Sequence, residues 1–308
     1  MPPLDVASSL LPPLMRLLHF NRTFVTEQGA HDRIREATLR PAAYGPPRSL
    51  RRDVRVDVVH DRGWPVYTLT PTSQRPAGGV VYAHGGGWVN EIVSQQWRLA
   101  AAVAAGAGVV VIVPIYPLVP YGTAGPVRDR VAELVRESTE RYGPTGVLGD
   151  SAGGQIVLSA ALALRDRGLR LPITVLVSPA LDLTWSNPLI PVVQPSDPWL
   201  ATPGGRVLAD AWRGDLPITD PAVSPLFGDL AGLGPLTVFT GMRDVLNPDA
   251  RLLVEKARAA GVEVELHEAA GQLHNYPVLP TAPGRAAQKV LISRVARGLG
   301  PPCGPSDS

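Results

Sequence analysis

The chain of 308 residues holds one cysteine, Cys303, and two lysines, Lys256 and Lys289. A lone thiol forms no intrachain disulfide and builds no Cys₂ or Cys₄ metal site. It suits a reducing compartment, so a cytoplasmic location is expected. Charge of one sign is scarce as well: 29 Lys+Arg against 27 Asp+Glu leave a formal +2. That supplies no field for gathering polyanions, and no nucleic-acid partner is expected. The one basic cluster, Arg48, Arg51, Arg52 and Arg55, reads as the solvated edge of a strand. Long hydrophobic runs are missing too. The longest, Leu99 to Ile115, is interrupted by Gly106, Gly108 and Pro114. It reads as a helix end, a turn and a buried strand, short of the roughly 20 apolar residues of a membrane span. Met1-Pro2-Pro3-Leu4-Asp5 lacks the basic start of a secretory signal. No repeat, dinucleotide fingerprint or metal constellation is present, and neither cofactor nor metal is expected.

The 45% of hydrophobic residues are enough for a full core in a chain of this size. Leu10, Leu11, Leu14, Leu17 and Leu18 recur at helical spacing, and a second short helix is predicted over 31–39, before Pro41, Pro46 and Pro47. Residues 1–47 thus stand apart as helices. Val54, Val56 and Val58 then alternate with charged residues, with His60 placed in a surface turn before a strand over 66–69. Short apolar runs follow at 79–83, 109–113, 146–148, 173–177 and 236–240, with helical patterns between them. Unalternated apolar strands separated by amphipathic helices predict a mostly parallel α/β sheet covered on both faces. Val262, Val264 and Leu266 alternate with polar residues as a half-exposed last strand, and a final helix is predicted over 283–299. The main domain spans 48–300 with extra residues inserted at about 183–215, and 301–308 form a flexible tail. In open α/β sheets the chemistry lies at the carboxyl ends of the strands.

Gly149-Asp150-Ser151-Ala152-Gly153 matches G-x-S-x-G between a buried strand and a helix, the setting that lifts a nucleophilic serine above a sheet. A phosphate-binding turn is the alternative, but no lysine follows to make a P-loop, and none lies near Ser151 for a Ser–Lys mechanism. His84-Gly85-Gly86-Gly87-Trp88 directly follows an earlier strand. Three consecutive glycines let backbone N–H groups face a ligand, and such a loop supplies half of an oxyanion hole in lipases and esterases. The expected donors are Gly85 and Gly86, joined by Ala152, with His84 structural. An acid is needed to orient the base. Asp244 follows one strand and Asp182 the strand before it; chain order allows either. Of six histidines, His274 lies in a loop just after the last strand and is the candidate base. His267 reads as solvated beside Glu265.

These motifs, with Tyr116-Pro117-Leu118-Val119-Pro120, Ser178-Pro179 and Asp182-Leu183-Thr184, resemble the hormone-sensitive-lipase-like branch of the α/β-hydrolases, its acetyl-hydrolase, esterase and steryl-ester deacetylase members included. The resemblance implies an eight-stranded sheet and a helical cap built from the N-terminus and the insertion after strand six. It favours Asp244 as the acid, in G-x-x-D-x-L context. The implied activity is a serine carboxylesterase or acetyl-hydrolase cleaving short- to medium-chain acyl esters through a Ser-His-Asp triad and an acyl-enzyme. An acyltransferase or lactone-forming enzyme with the same residues, or a silent hydrolase-fold receptor, are the alternatives, and a homodimer is compatible with the branch. Tyr121 stands where the branch usually has Glu, and Pro248-Asp249 where it has an acidic pair. Trp88, Trp185, Trp199, Trp212 and Phe20 either line a substrate pocket or pin the cap to the body.

Overall fold

The computed structural model describes residues 10–300. Residues 1–9 of the predicted N-terminal helical segment, and the predicted 301–308 tail with Cys303, lie outside them. Three helices come first, α1 (Leu11–Leu17), α2 (Arg22–Val25) and α3 (Glu27–Leu39). The chain then alternates through β1 (Val54–Asp61), β2 (Trp64–Pro71), β3 (Gly79–Ala83), α4 (Ser94–Ala107), β4 (Val110–Pro114), α5 (Ala124–Tyr142), β5 (Thr145–Asp150), α6 (Ala152–Asp166) and β6 (Thr174–Val177). Between β6 and the next strand lie α7 (Ile190–Val193) and α8 (Thr202–Arg213). The fold closes with β7 (Leu236–Gly241), α9 (Asn247–Ala259), β8 (Val264–Ala269) and α10 (Ala282–Leu299).

The eight strands form one sheet in the order β1-β2-β4-β3-β5-β6-β7-β8. β2 runs antiparallel to β1 and β4, and every other pair is parallel. The sequence pattern predicts the mostly parallel sheet, and the count of eight strands is the one that the resemblance implies. The unalternated strands have a direct cause. In β3, Val80 and Tyr82 pack on the face covered by α4 and α10, while Val81 and Ala83 pack on the face covered by α5, α6 and α9. Successive side chains point to opposite faces, and both faces are covered, so every position is apolar. Each fully buried Val or Leu contributes about 1.5–3 kcal/mol relative to exposure.

The chain leaves β3 towards β4 on one side and returns to β5 on the other. The ends of β3 and β5 therefore flank the crevice at which such sheets bind ligands. α2 and α3 pack against α8, and Phe24 of α2 and Leu208 of α8 both lie against Gly87. Arg33 of α3 donates to Asn90 Oδ1 at 2.7 Å.

Three local expectations change. The leucines of α1 have helical spacing, but Leu10, Leu14, Leu17 and Leu18 are exposed, and Pro12 and Met15 are the buried ones. The helix predicted over 31–39 is α3 and starts four residues earlier, at Glu27, because the Thr26 hydroxyl caps it by accepting from the Gly29 amide at 3.0 Å. His60 is not in a turn: it pairs with Pro65 within the β1–β2 hairpin. The turn lies at Arg62 and Gly63, both at positive φ. The arginine cluster is the solvated edge expected, with Arg51 and Arg55 on Asp53 and Asp57 at 2.6 and 2.8 Å.

Candidate active site

Ser151 sits between β5 and α6 at φ 53° and ψ −118°, a conformation costly for a residue with a Cβ and found where a sharp turn is imposed. The turn demands small neighbours. A Cβ on Gly149 would run into the Gly153 carbonyl, and one on Gly153 into the carbonyls of Ala83 and His84. The G-x-S-x-G pattern thus records how closely β3, β5 and α6 approach. The Ser151 amide donates to Val177 O of β6 at 2.8 Å.

The structure brings three of the expected side chains together. Ser151 Oγ lies 3.0 Å from His274 Nε2, and His274 Nδ1 lies 2.9 Å from Asp244 Oδ2. Asp244 is fully buried at the end of β7, His274 is 2% exposed and Ser151 7%. Asp244 Oδ1 accepts from the Leu246 amide at 2.9 Å, which fixes the carboxylate. Burial pulls the His274 pKa down, but the charge and hydrogen bond of Asp244, aided by Asp197 and Asp150, outweigh it and raise it above the ordinary histidine value. Asp182, the alternative acid, is engaged elsewhere. Its Oδ1 accepts from the Thr184 amide and hydroxyl at 2.8 and 2.6 Å, and Oδ2 accepts from Ser186.

The other histidines have their own settings. His84 is fully buried, stacked on Tyr116 at 4.6 Å, and its Nδ1 donates to Gly85 O at 2.8 Å. His267 is half-buried rather than solvated: its ring stacks on Phe239 at 4.6 Å, with Glu265 2.9 Å from Nε2. The alternation of β8 hides this, because the polar face of that strand is partly covered.

One expected donor is spoken for. The Gly85 amide donates to Asp150 Oδ1 at 3.0 Å, which removes it from the amides that face a ligand. Gly86 N–H has no acceptor among the described residues, and Ala152 N–H, at the first turn of α6, has no partner within the helix. Asp150 itself is the hub that sequence reasoning missed. Besides Gly85 it accepts from Tyr82 Oη at 2.6 Å, Gln96 Nε2 at 2.8 Å and Asn275 Nδ2 at 2.9 Å. One buried carboxylate thus ties the glycine loop, β3 and α4 to the residue next to His274. Asn275, at φ 54°, also donates its amide to Ser178 Oγ at 3.0 Å. Both residues lay in plain view inside the motifs, but nothing local marks a hub whose partners come from four separate segments.

The tryptophans divide. Trp88 and Trp212 are buried, stack at 5.8 Å and both donate to Gln155 Oε1, at 3.1 and 2.8 Å; Trp185 is buried against Gly205. These three hold α8 and the glycine loop to the body. Phe20 is exposed. Only Trp199 touches the reactive groups, edge-on to the His274 ring at 5.5 Å. Tyr121, in place of the branch's Glu, is 76% exposed. Among the described residues no group of three His, Cys, Asp or Glu side chains is arranged to hold a metal ion, and no helix is long and apolar enough to cross a membrane.

A family model described as the alpha/beta hydrolase fold matches residues 80–278. Among curated proteins, the chain is 33% identical over 234 residues to an acetyl-hydrolase of Streptomyces hygroscopicus, covering 72% of this chain and 77% of that one. It is 34% identical over 223 residues to a triacylglycerol lipase of Mycobacterium tuberculosis, covering 70% of this chain. The chain spans about half of that lipase's length, 46%. Among solved structures, an esterase from the bacterial hormone-sensitive lipase family superposes with a TM-score of 0.79 at 25% identity, covering 96% of this chain and all of the other.

Proposed function

The chain belongs to the alpha/beta-hydrolase fold family and is a carboxylic-ester hydrolase, and we propose that it works through an acyl-enzyme on Ser151. In this reading His274 takes the Ser151 proton as the hydroxyl attacks the ester carbonyl, and returns it to the departing alcohol. Water, activated by the same imidazole, then releases the acid. Asp244 holds the ring with Nδ1 protonated and stabilises the imidazolium. The Ala152 and Gly86 amides are the donors for the tetrahedral oxyanion, where removing one such donor typically costs about 10²–10³ in kcat.

The observation that carries the reading is the pair of hydrogen bonds at 3.0 and 2.9 Å that joins Ser151, His274 and Asp244 inside a nearly closed site. Short acyl groups are the proposed substrates. The acetyl-hydrolase relative supports this, as does the near-complete burial of Ser151 beside His274, whose ring meets Trp199 edge-on. The packing of α2 and α3 on α8 beside Gly87 supports reading residues 10–47 and the insertion at about 183–215 as a cap over the site. The single thiol, Cys303, supports a cytoplasmic setting.

The test is a series of p-nitrophenyl esters from acetate to palmitate, assayed with wild type and Ser151→Ala. Turnover is expected to be highest at the short end and to disappear in the variant. Turnover retained by Ser151→Ala contradicts the mechanism, and a palmitate optimum contradicts the substrate class.

A further inference from the structure

The segment after α7 brings a second acid to the catalytic groups. Asp197 is 7% exposed and comes from the insertion, 48 residues before the amide it reaches. Its Oδ1 accepts from the Trp199 and Leu200 amides at 2.8 and 3.0 Å, and its Oδ2 accepts from the Val245 amide at 2.9 Å. Val245 immediately follows Asp244, and Trp199 is the residue lying edge-on to His274. One side chain therefore holds both the loop that carries the acid and the ring that packs against the base. We propose that Asp197 is a positioning residue for the Ser151–His274–Asp244 array, coupling the insertion to the charge and placement of His274; this rests on the catalytic reading above.

The chemistry of the donor set explains why an acid is needed. Three amide N–H groups converge on the two oxygens, so both must accept. An asparagine would turn a donor towards either Val245 or the Trp199–Leu200 turn, and a protonated carboxyl would keep one acceptor fewer. The link is thus made by the anion, in a place that resists charge. Burial, and after it the charge of Asp244, push the Asp197 pKa up to about 6, against the pull of the Val245 and Leu200 amides and of His274. The charged groups around it are Asp244 and His274 on the catalytic loops, Arg243, whose guanidinium donates to the adjacent Ser196 carbonyl at 3.1 and 3.3 Å, and Arg16 of α1 on the Pro195 carbonyl at 3.0 Å. By reciprocity, the Asp197 anion makes His274 a stronger base.

The test is Asp197→Asn, assayed on p-nitrophenyl acetate from pH 5 to 9 with its fold checked by thermal melting. With the anion gone, kcat is expected to fall about tenfold, about 1.4 kcal/mol and the upper end of what one buried hydrogen bond contributes. KM is expected to stay within about twofold, and the acid limb of kcat/KM is expected to move to lower pH. A loss of activity with an unmoved acid limb overturns the proposal, since a merely structural role predicts that. Unchanged kinetics overturn it too. Should the variant fail to fold, the His274 imidazole in wild type is followed by NMR over the same range. Two inflections, the lower near pH 6, support the coupling; a single inflection overturns it. Turnover retained in Ser151→Ala would instead defeat the underlying catalytic reading, so the two failures are distinguishable.

Discussion

At the scale of single residues, the candidate site depends on which carboxylate reaches which partner. Asp244 and Asp182 both follow strands of the same sheet, and chain order alone gives them equal claims. The geometry separates them, because Asp182 is held by Thr184 and Ser186 while Asp244 lies 2.9 Å from the His274 ring. Asp244→Asn is expected to lower kcat by about 10⁴, by analogy with the acid of a serine-protease triad. Asp182→Asn is expected to cost less than about tenfold. Steady-state kinetics on a short ester check both, and a reversed ranking would move the acid role to Asp182. Ser151, His274 and Asp244, the proposed nucleophile, base and acid, could be picked out because each sits in a motif with a local cause: a turn that only small residues permit, or a loop directly after a strand. Gly85 was misassigned as a free donor because its amide is taken by Asp150, and no local pattern tells which of three adjacent amides is already bonded. Asp197 was invisible for the same reason: the partner that ties it to the site, the Val245 N–H, lies on another loop.

Among secondary-structure elements, the strands and main helices were legible and the short helices of the N-terminal segment and the insertion much less so. Strands such as β3 and β4 are buried on both faces, so their composition announces them, and their ends fall within a residue or two of the apolar runs. α2 is four residues long and α7 begins at Ile190-Pro191; neither has the length for a periodic pattern to stand out. The segment between β6 and α7 also reaches an unusual acid through Asn187. Asp249, in the first turn of α9, is buried, accepts from Asn187 Nδ2 at 2.8 Å through Oδ1, and leaves Oδ2 without a partner among the described residues. Burial raises its pKa to about 7, Asn187 opposes this, and the charge of Asp182 adds to it. The folded state therefore binds the proton more tightly than the unfolded chain does. The stability this group contributes is complete below about pH 4 and is lost as pH rises towards 7. Asp249→Asn keeps the bond to Asn187 and removes the charge. Its melting temperature is expected to exceed that of wild type at pH 8, with the difference closing towards pH 4; a difference independent of pH would contradict the assignment.

At the scale of the whole molecule, the sheet brings the proposed base together with groups spread along the polypeptide that set the pH at which it would work. In the proposed mechanism His274 must be neutral to accept the Ser151 proton. Burial acts against its protonation, but Asp244, with Asp197 and Asp150, raises its pKa above 6.5. Activity is therefore expected to fall as pH drops through a value above 6.5, and kcat/KM, which reports the free enzyme, is the quantity to follow. An acid limb centred well below 6.5 would show that the surrounding carboxylates do not govern the imidazole.

The most direct measurement is covalent labelling of the nucleophile. Wild-type protein and a His274→Ala variant are treated with a fluorophosphonate probe at pH 8, and the adduct is located by peptide mass. The expected result is a single adduct on Ser151 in wild type, formed at least about 10³ times more slowly without the imidazole. No adduct, an adduct on another residue, or an equal rate in the variant would contradict a Ser151 nucleophile activated by His274.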